Sequence, residues 1–172
     1  MPNEIKRKLR EKITHKFILL LFFLSSSTHA TTFAWLQDSN QNWLRVEIAD
    51  TPKKQSQGLM YRPYLLPNYG MLFIFDTPRP LSFWMKNTWR TLDIRFYDEN
   101  GILINRHPYA QPCLQTHCPH YNATQNAKYV LETAAQPTVY PYPPIGNLIS
   151  IIYSKPAHKN NLTISFNYSS SN

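Results

Sequence analysis

The chain has 172 residues, with 18 Lys and Arg against 10 Asp and Glu, a formal charge of +8. That length supports one domain with a real core. The first 30 residues hold six basic side chains and two glutamates, so +4 resides there and +4 in the remainder. The remainder has no basic run and no interleaving of basic and aromatic residues, which excludes nucleic acid as the expected partner.

Met1 to Lys16 is basic, Phe17 to Leu24 ("FILLLFFL") is apolar, and "SSSTHA" ends in small residues. This is the layout of a secretory signal, with cleavage expected after Ala30. The apolar core is short of the ~20 residues a membrane span requires. The reading is therefore export to a bacterial periplasm or medium, residues 31–172 forming one domain with no stable membrane span. An uncleaved N-terminal anchor is the alternative.

"WLRVEIA" (Trp43 to Ala49) alternates and predicts a strand. Thr51 as N-cap, Pro52 at the first helical position and Gly58 at the exit predict a short helix over 52–57. "GMLFIF" (Gly70 to Phe75) is continuously apolar and predicts a buried strand. "TPRP" (Thr77 to Pro80) is expected to be irregular, because its prolines remove backbone donors. "LDIRFYDENGILINRHP" predicts a hairpin on a three-residue loop, Glu99-Asn100-Gly101, with Gly101 left-handed. That register sets Phe96 opposite Ile104, Asp98 opposite Ile102 and Asp93 opposite His107. It avoids the pairs Arg95–Arg106 and Phe96–Asn105, which are poor cross-strand neighbours.

Residues 108–127 are rich in Pro, Gln, Asn and His and predict a surface excursion. Within it, Cys113 and Cys118 form one disulfide if the compartment is oxidising. The "C-x-x-x-H-C-x-H" pattern, adding His117 and His120, offers zinc as the alternative. "KYVLET" (Lys128 to Thr133) predicts a strand, "QPTVYPYPPIGN" (Gln136 to Asn147) an irregular segment, and "LISIIYS" and "LTISFNY" two final strands. The class is α+β and predominantly β, a small barrel-like or sandwich domain with one or two short helices.

Four ordered blocks, "VEIADTPKKQSQGLMYR", "GMLFIFD", "FWMKNTWRTLDIRFYDENG" and "KYVLE", resemble domain-of-unknown-function family 192, over about residues 43–153. The chain departs from the family pattern at Thr91, usually Pro, at "TAAQ" after "VLE", where a Gly is usual, and at Asn147, often Asp. The resemblance implies a compact, mostly β fold and names no reaction.

"FWMKNTW" mixes apolar and polar residues. Ligand sites look like this, aromatic walls with a few convergent polar groups, and so do internal hydrogen-bond networks. The ligand-binding candidates are Arg62, Trp84, Met85, Lys86, Asn87, Thr88, Asp93 and Glu132. Arg62 is the natural anion fork, and Lys86 is expected to pair with Asp93 or Glu132. The expected function is a non-catalytic envelope module holding a small ligand, glycan or partner protein. No catalytic residue, metal or cofactor is assigned, because no hydrolase or metalloprotease signature occurs. The alternatives are an enzyme using Asp93, His107 and Lys86 as acid–base groups, or a copper- or zinc-binding protein. Copper would draw on Met60, Met71 and Met85 with His107, His117 or His120.

Overall fold

The computed structural model describes residues 31–41, 43–66, 68–135, 146–153 and 162–165. The proposed signal, residues 1–30, and most of the proline–tyrosine segment, 136–145, lie outside the described residues. Among the described residues ten strands and one helix follow in chain order: β1 Phe33–Asp38, β2 Trp43–Ala49, α1 Pro52–Gln57, β3 Tyr69–Arg79, β4 Ser82–Trp84, β5 Leu92–Tyr97, β6 Leu103–Ala110, β7 His120–Asn122, β8 Ala127–Ala134, β9 Leu148–Tyr153 and β10 Leu162–Ser165. Eight strands form one mixed sheet in the order β10-β9-β1-β2-β3-β8-β5-β6, and β4 pairs with β7 in a small second sheet. The β2–β3 pair is parallel, and α1 lies in the connection between its strands. The fold is thus predominantly β, and sandwich-like rather than a closed barrel.

Two apolar layers explain the sequence patterns. "GMLFIF" is apolar throughout because β3 is covered on both faces. Met71, Phe73 and Phe75 enter one layer with Met85, Ile94, Phe96 and Val130. Leu72 enters the other with Leu36, Val46, Ile48, Tyr97 and Leu131. The small sheet caps the first layer through Phe83, whose ring meets Phe73 at 4.8 Å and Phe96 at 5.7 Å, both edge-on. β1 has no counterpart among the expected strands. Its alternation is weak to the eye because two of its three inward residues are Ala34 and Asp38. Asp38 is held inside by accepting the amide N–H groups of Asn40 and Gly146, each at 3.0 Å.

The helix forms as expected: Thr51 Oγ1 accepts from the Lys54 amide at 3.4 Å, and the chain leaves through Gly58 at φ 48°. Three expectations are corrected. First, "TPRP" is mostly strand, since β3 runs to Arg79. Its ladder with β8 is interrupted between Ile74 and Arg79, so Pro78 forfeits no bond that a regular ladder would need. Second, residues 108–127 are no mere excursion. β6 reaches Ala110, β7 pairs with β4, and Ala110, Cys113 and Ala127 are buried in the first layer.

Third, the hairpin register shifts. The turn is the three-residue loop, with Gly101 at φ 76° and the Asp98 amide donating to the Ile102 carbonyl at 3.0 Å. Beyond it Tyr97 pairs with Leu103 but Phe96 with Asn105, so Ile104 is an inserted bulge residue. Arg95 then faces Arg106, Phe96 faces Asn105, and His107 faces Ile94 rather than Asp93. The arginine pair is tolerated because Asp93 lies between them, accepting from Arg95 Nη2 at 2.6 Å and Arg106 Nη2 at 3.0 Å.

Candidate functional site

Strand alternation resolves the mixed block. Phe83 and Met85 point into the first layer, Met85 being fully buried, while Trp84 stands outside, 43% exposed. Trp84 is flanked on both sides: Lys86 Nζ lies 5.1 Å from its ring centroid and the His120 ring 5.9 Å away. His120 is fixed by Ser82 Oγ at 2.9 Å across the β4–β7 pair.

Met85 to Thr88 then form a turn closed by Thr88 N–H to the Met85 carbonyl at 3.0 Å, with Asn87 left-handed at φ 54°. The turn wraps Cys113: its amide donates to the Met85 carbonyl at 3.3 Å, and its carbonyl accepts from Asn87 N–H at 2.9 Å. Cys113 is disulfide-bonded to Cys118. Thr88 is buried and its hydroxyl donates back to the Lys86 carbonyl at 3.3 Å.

A second loop closes on the first. Tyr61, also left-handed at φ 62°, donates its amide to the Asn87 carbonyl at 2.8 Å, and Asn87 Nδ2 donates to the Tyr61 hydroxyl at 2.7 Å. Tyr61 had no place among the sequence candidates, although its position three residues past the Gly58 helix exit marked a turn. Tyr61 and Trp89 are 60% and 49% exposed. The joined loops therefore present Tyr61, Trp84 and Trp89 outward over a main-chain lattice.

The remaining candidates separate. The Arg62 fork, expected to receive an anionic ligand, receives Glu47, whose carboxylate also accepts from the Tyr69 hydroxyl. Burial pushes Glu47 up, but the Arg62 and Tyr69 hydrogen bonds and the Arg62 charge outweigh it and leave the carboxyl below its ordinary value. The same group raises Tyr69 to about 12, burial first and the Glu47 hydrogen bond next.

Asp93 lies on the face of β5 that carries Arg95 and Tyr97, opposite the Met85 side, and is buried between Arg95 and Arg106. Lys86 thus pairs with neither Asp93 nor Glu132. His107 bonds the Asn122 carbonyl and Asn105 and packs on Phe96 and Tyr121. Asp93, His107 and Lys86 accordingly do not converge. Met60 is half-buried, and Met71 and Met85 are packed in the first layer. Among the described residues no three His, Cys, Asp or Glu side chains cluster as metal ligands.

Glu132 is different in kind. It is 4% exposed and sits between Met71 and Ile94 across the two ladders, and its carboxyl makes no hydrogen bond or ion pair among the described residues. Burial alone pushes its pKa up to about 8. Its backbone is pressed against β3: a Cβ on Gly70 would stand 2.5 Å from the Glu132 carbonyl oxygen.

Residues 34–138 match the model of the DUF192 family, described as an uncharacterised ACR. The chain belongs to that family. No curated protein matches it. Among solved structures it is similar to a candidate transcription regulator from Sinorhizobium meliloti 1021, at 34% identity and a TM-score of 0.55, over 64% of this chain and 85% of that one. It is also similar to a protein of unknown function from Novosphingobium aromaticivorans DSM 12444, at 27% identity and a TM-score of 0.55, over 64% and 78%.

Proposed function

We propose that the protein is an exported envelope module that binds a ligand on the rim formed by Tyr61, Trp84 and Trp89, with Lys86 and Asn87 as its polar contacts. The carrying observation is the clasp between Tyr61 and Asn87. A non-glycine residue held left-handed costs roughly 1–3 kcal/mol and persists where its surroundings over-determine it, often at binding sites. Here two such residues, on two loops, hold each other. The clasp buries neither Trp84 nor Tyr61, so core packing gives no reason for it. Export is supported by the leader-like residues 1–30 and by the disulfide, which persists in oxidising compartments.

The transcription-regulator description of the Sinorhizobium meliloti relative is not carried over to this chain, because many of its described basic side chains are already engaged. Arg62, Arg95, Arg106 and Lys54 are paired with carboxylates, and Arg45, Arg79, Lys86 and Lys128 lie over aromatic rings. The test is an indole-fluorescence titration of the protein with soluble glycan fragments and small-molecule fractions of a cell-envelope extract. A saturable change lost in Trp84→Ala, with the melting temperature kept, is expected. A silent titration across all fractions would remove the reading.

A further inference from the structure

We propose that Glu132 is the counter-charge for an organic cation, a ligand's primary ammonium or guanidinium head, which reaches the carboxyl beside Gly58 and displaces its proton. The inference rests on the rim-binding reading and adds the ligand's chemical class.

The other buried carboxylates of the described residues each have partners. Asp38 accepts backbone amides, Glu47 holds Arg62 and Tyr69, and Asp93 holds two arginines. Among the described residues the Glu132 carboxyl alone has none, and burying a carboxyl without a partner costs several kcal/mol in general. A methionine would fill the same place between Met71 and Ile94 with less penalty. The position is better explained by a partner that arrives from outside.

The carboxyl lies just beneath the half-exposed α1 exit. Gly58 is half-exposed and stands directly over the carboxyl. A Cβ there would lie 3.9 Å from Glu132 Oε2 and 3.4 Å from the Phe73 ring, so any side chain would lid the group. Three residues on, the exposed Tyr61 ring offers the kind of face that attracts cations.

The residues beside Glu132 are Met71 and Ile94 across the two ladders and Gly58 and Phe73 at the α1 exit, none of them titratable. No charged side chain contributes to the state of the carboxyl, which burial alone keeps protonated near neutrality. Arg62 is occupied by Glu47, and Lys86 lies over Trp84. An anion would be repelled by the ionised form. A cation gains a pairing that the low dielectric strengthens, against a modest cost of removing the proton. The proton leaves to solvent, so one H⁺ is released for each cation bound.

The experiment titrates the disulfide-intact protein with n-butylammonium and n-butylguanidinium, using n-butanol and butyrate as controls, from pH 6 to 9. Affinity for both cations is expected to rise about tenfold per pH unit well below 8 and to level above it. Calorimetry in buffers of differing ionisation enthalpy should read one proton released at pH 6.5. Glu132→Gln is near-isosteric with the protonated side chain, and should lose at least about tenfold in cation affinity together with the pH slope. Cations binding no better than n-butanol at pH 8.5, or binding Glu132→Gln as they bind wild type, would overturn the assignment. If an envelope ligand still changes the rim fluorescence of Glu132→Gln as in wild type, the cation class falls and the rim reading stands. If cations need Glu132 while Trp84→Ala changes nothing, the rim reading falls instead.

Discussion

Glu132 and Glu47 show how two buried carboxyls in one domain act in opposite directions. The folded-state pKa of Glu132 is raised from 4.5 to about 8 by burial. Between those values the unfolded chain has released the proton and the folded chain still holds it. Stability therefore falls as pH rises through that window, by on the order of 5 kcal/mol for the full shift. Thermal unfolding followed from pH 5 to 8.5 should show this decline, and Glu132→Gln should flatten it. Glu47 has the opposite sign: its depressed pKa gives stability present above about 4.5 and lost as pH falls through the folded value. Glu47→Gln should therefore weaken the fold at neutral pH and remove part of its acid sensitivity in the same melts. Gly70 belongs to this scale too. An added methyl group would stand 2.5 Å from the Glu132 carbonyl oxygen, and backbone must move to admit it. Gly70→Ala should cost at least about 2 kcal/mol in denaturant unfolding, in the range of overpacked sites.

At the scale of elements, the disulfide segment and the Met85–Thr88 turn behave as one unit. Cys113 bonds the turn through both its amide and its carbonyl, and the turn holds Tyr61 in place. Opening the Cys113–Cys118 bridge frees a loop of sequence separation 5, worth about 2 kcal/mol in the chain-entropy picture. The effect should be local: in Cys118→Ser, amide exchange should quicken at Asn87, Cys113 and Tyr61 but not in β3 or β8. Exchange quickening equally across the central strands would show that the loop and core are not separable. The β5–β6 hairpin carries a second coupled set, in which Asp93 neutralises two arginines that face each other. Asp93→Asn leaves buried Arg95 without its counter-ion and should cost about 3–5 kcal/mol by equilibrium unfolding, since a broken buried pair leaves a bare charge.

At the scale of the molecule, two apolar layers on opposite faces of one sheet divide the roles. One layer, roofed by the small β4–β7 sheet and the two clasped loops, carries the rim and Glu132. The other lies against the face bearing Asp93, Arg95 and Tyr97. Two polar atoms on that face, Arg95 Nε and the Tyr97 hydroxyl, have no hydrogen-bond partner among the described residues, and ordered water is the ordinary companion of such groups. The division explains why the expected Lys86–Asp93 contact does not form.

Local chemistry was sufficient for much of this. Thr51, Pro52 and Gly58 specified the helix over 52–57, because caps and φ preferences act within a few residues. The continuous run at Gly70 to Phe75 announced a doubly covered strand, and Gly101 announced the three-residue turn. Four sequence blocks sufficed for the family. The bulge at Ile104 needed the third dimension, since its gain is the placement of Asp93 between two arginines and no period in the sequence encodes it. So did the strand through Pro78, which depends on where the β3–β8 ladder breaks. The clasp of Tyr61 on Asn87 and the isolation of Glu132 under Gly58 join residues 26 and 74 positions apart. Sequence determines which side chains are offered and how each segment turns; only tertiary packing decides which face each one meets, because burial and pairing energies depend on neighbours the chain brings from far away.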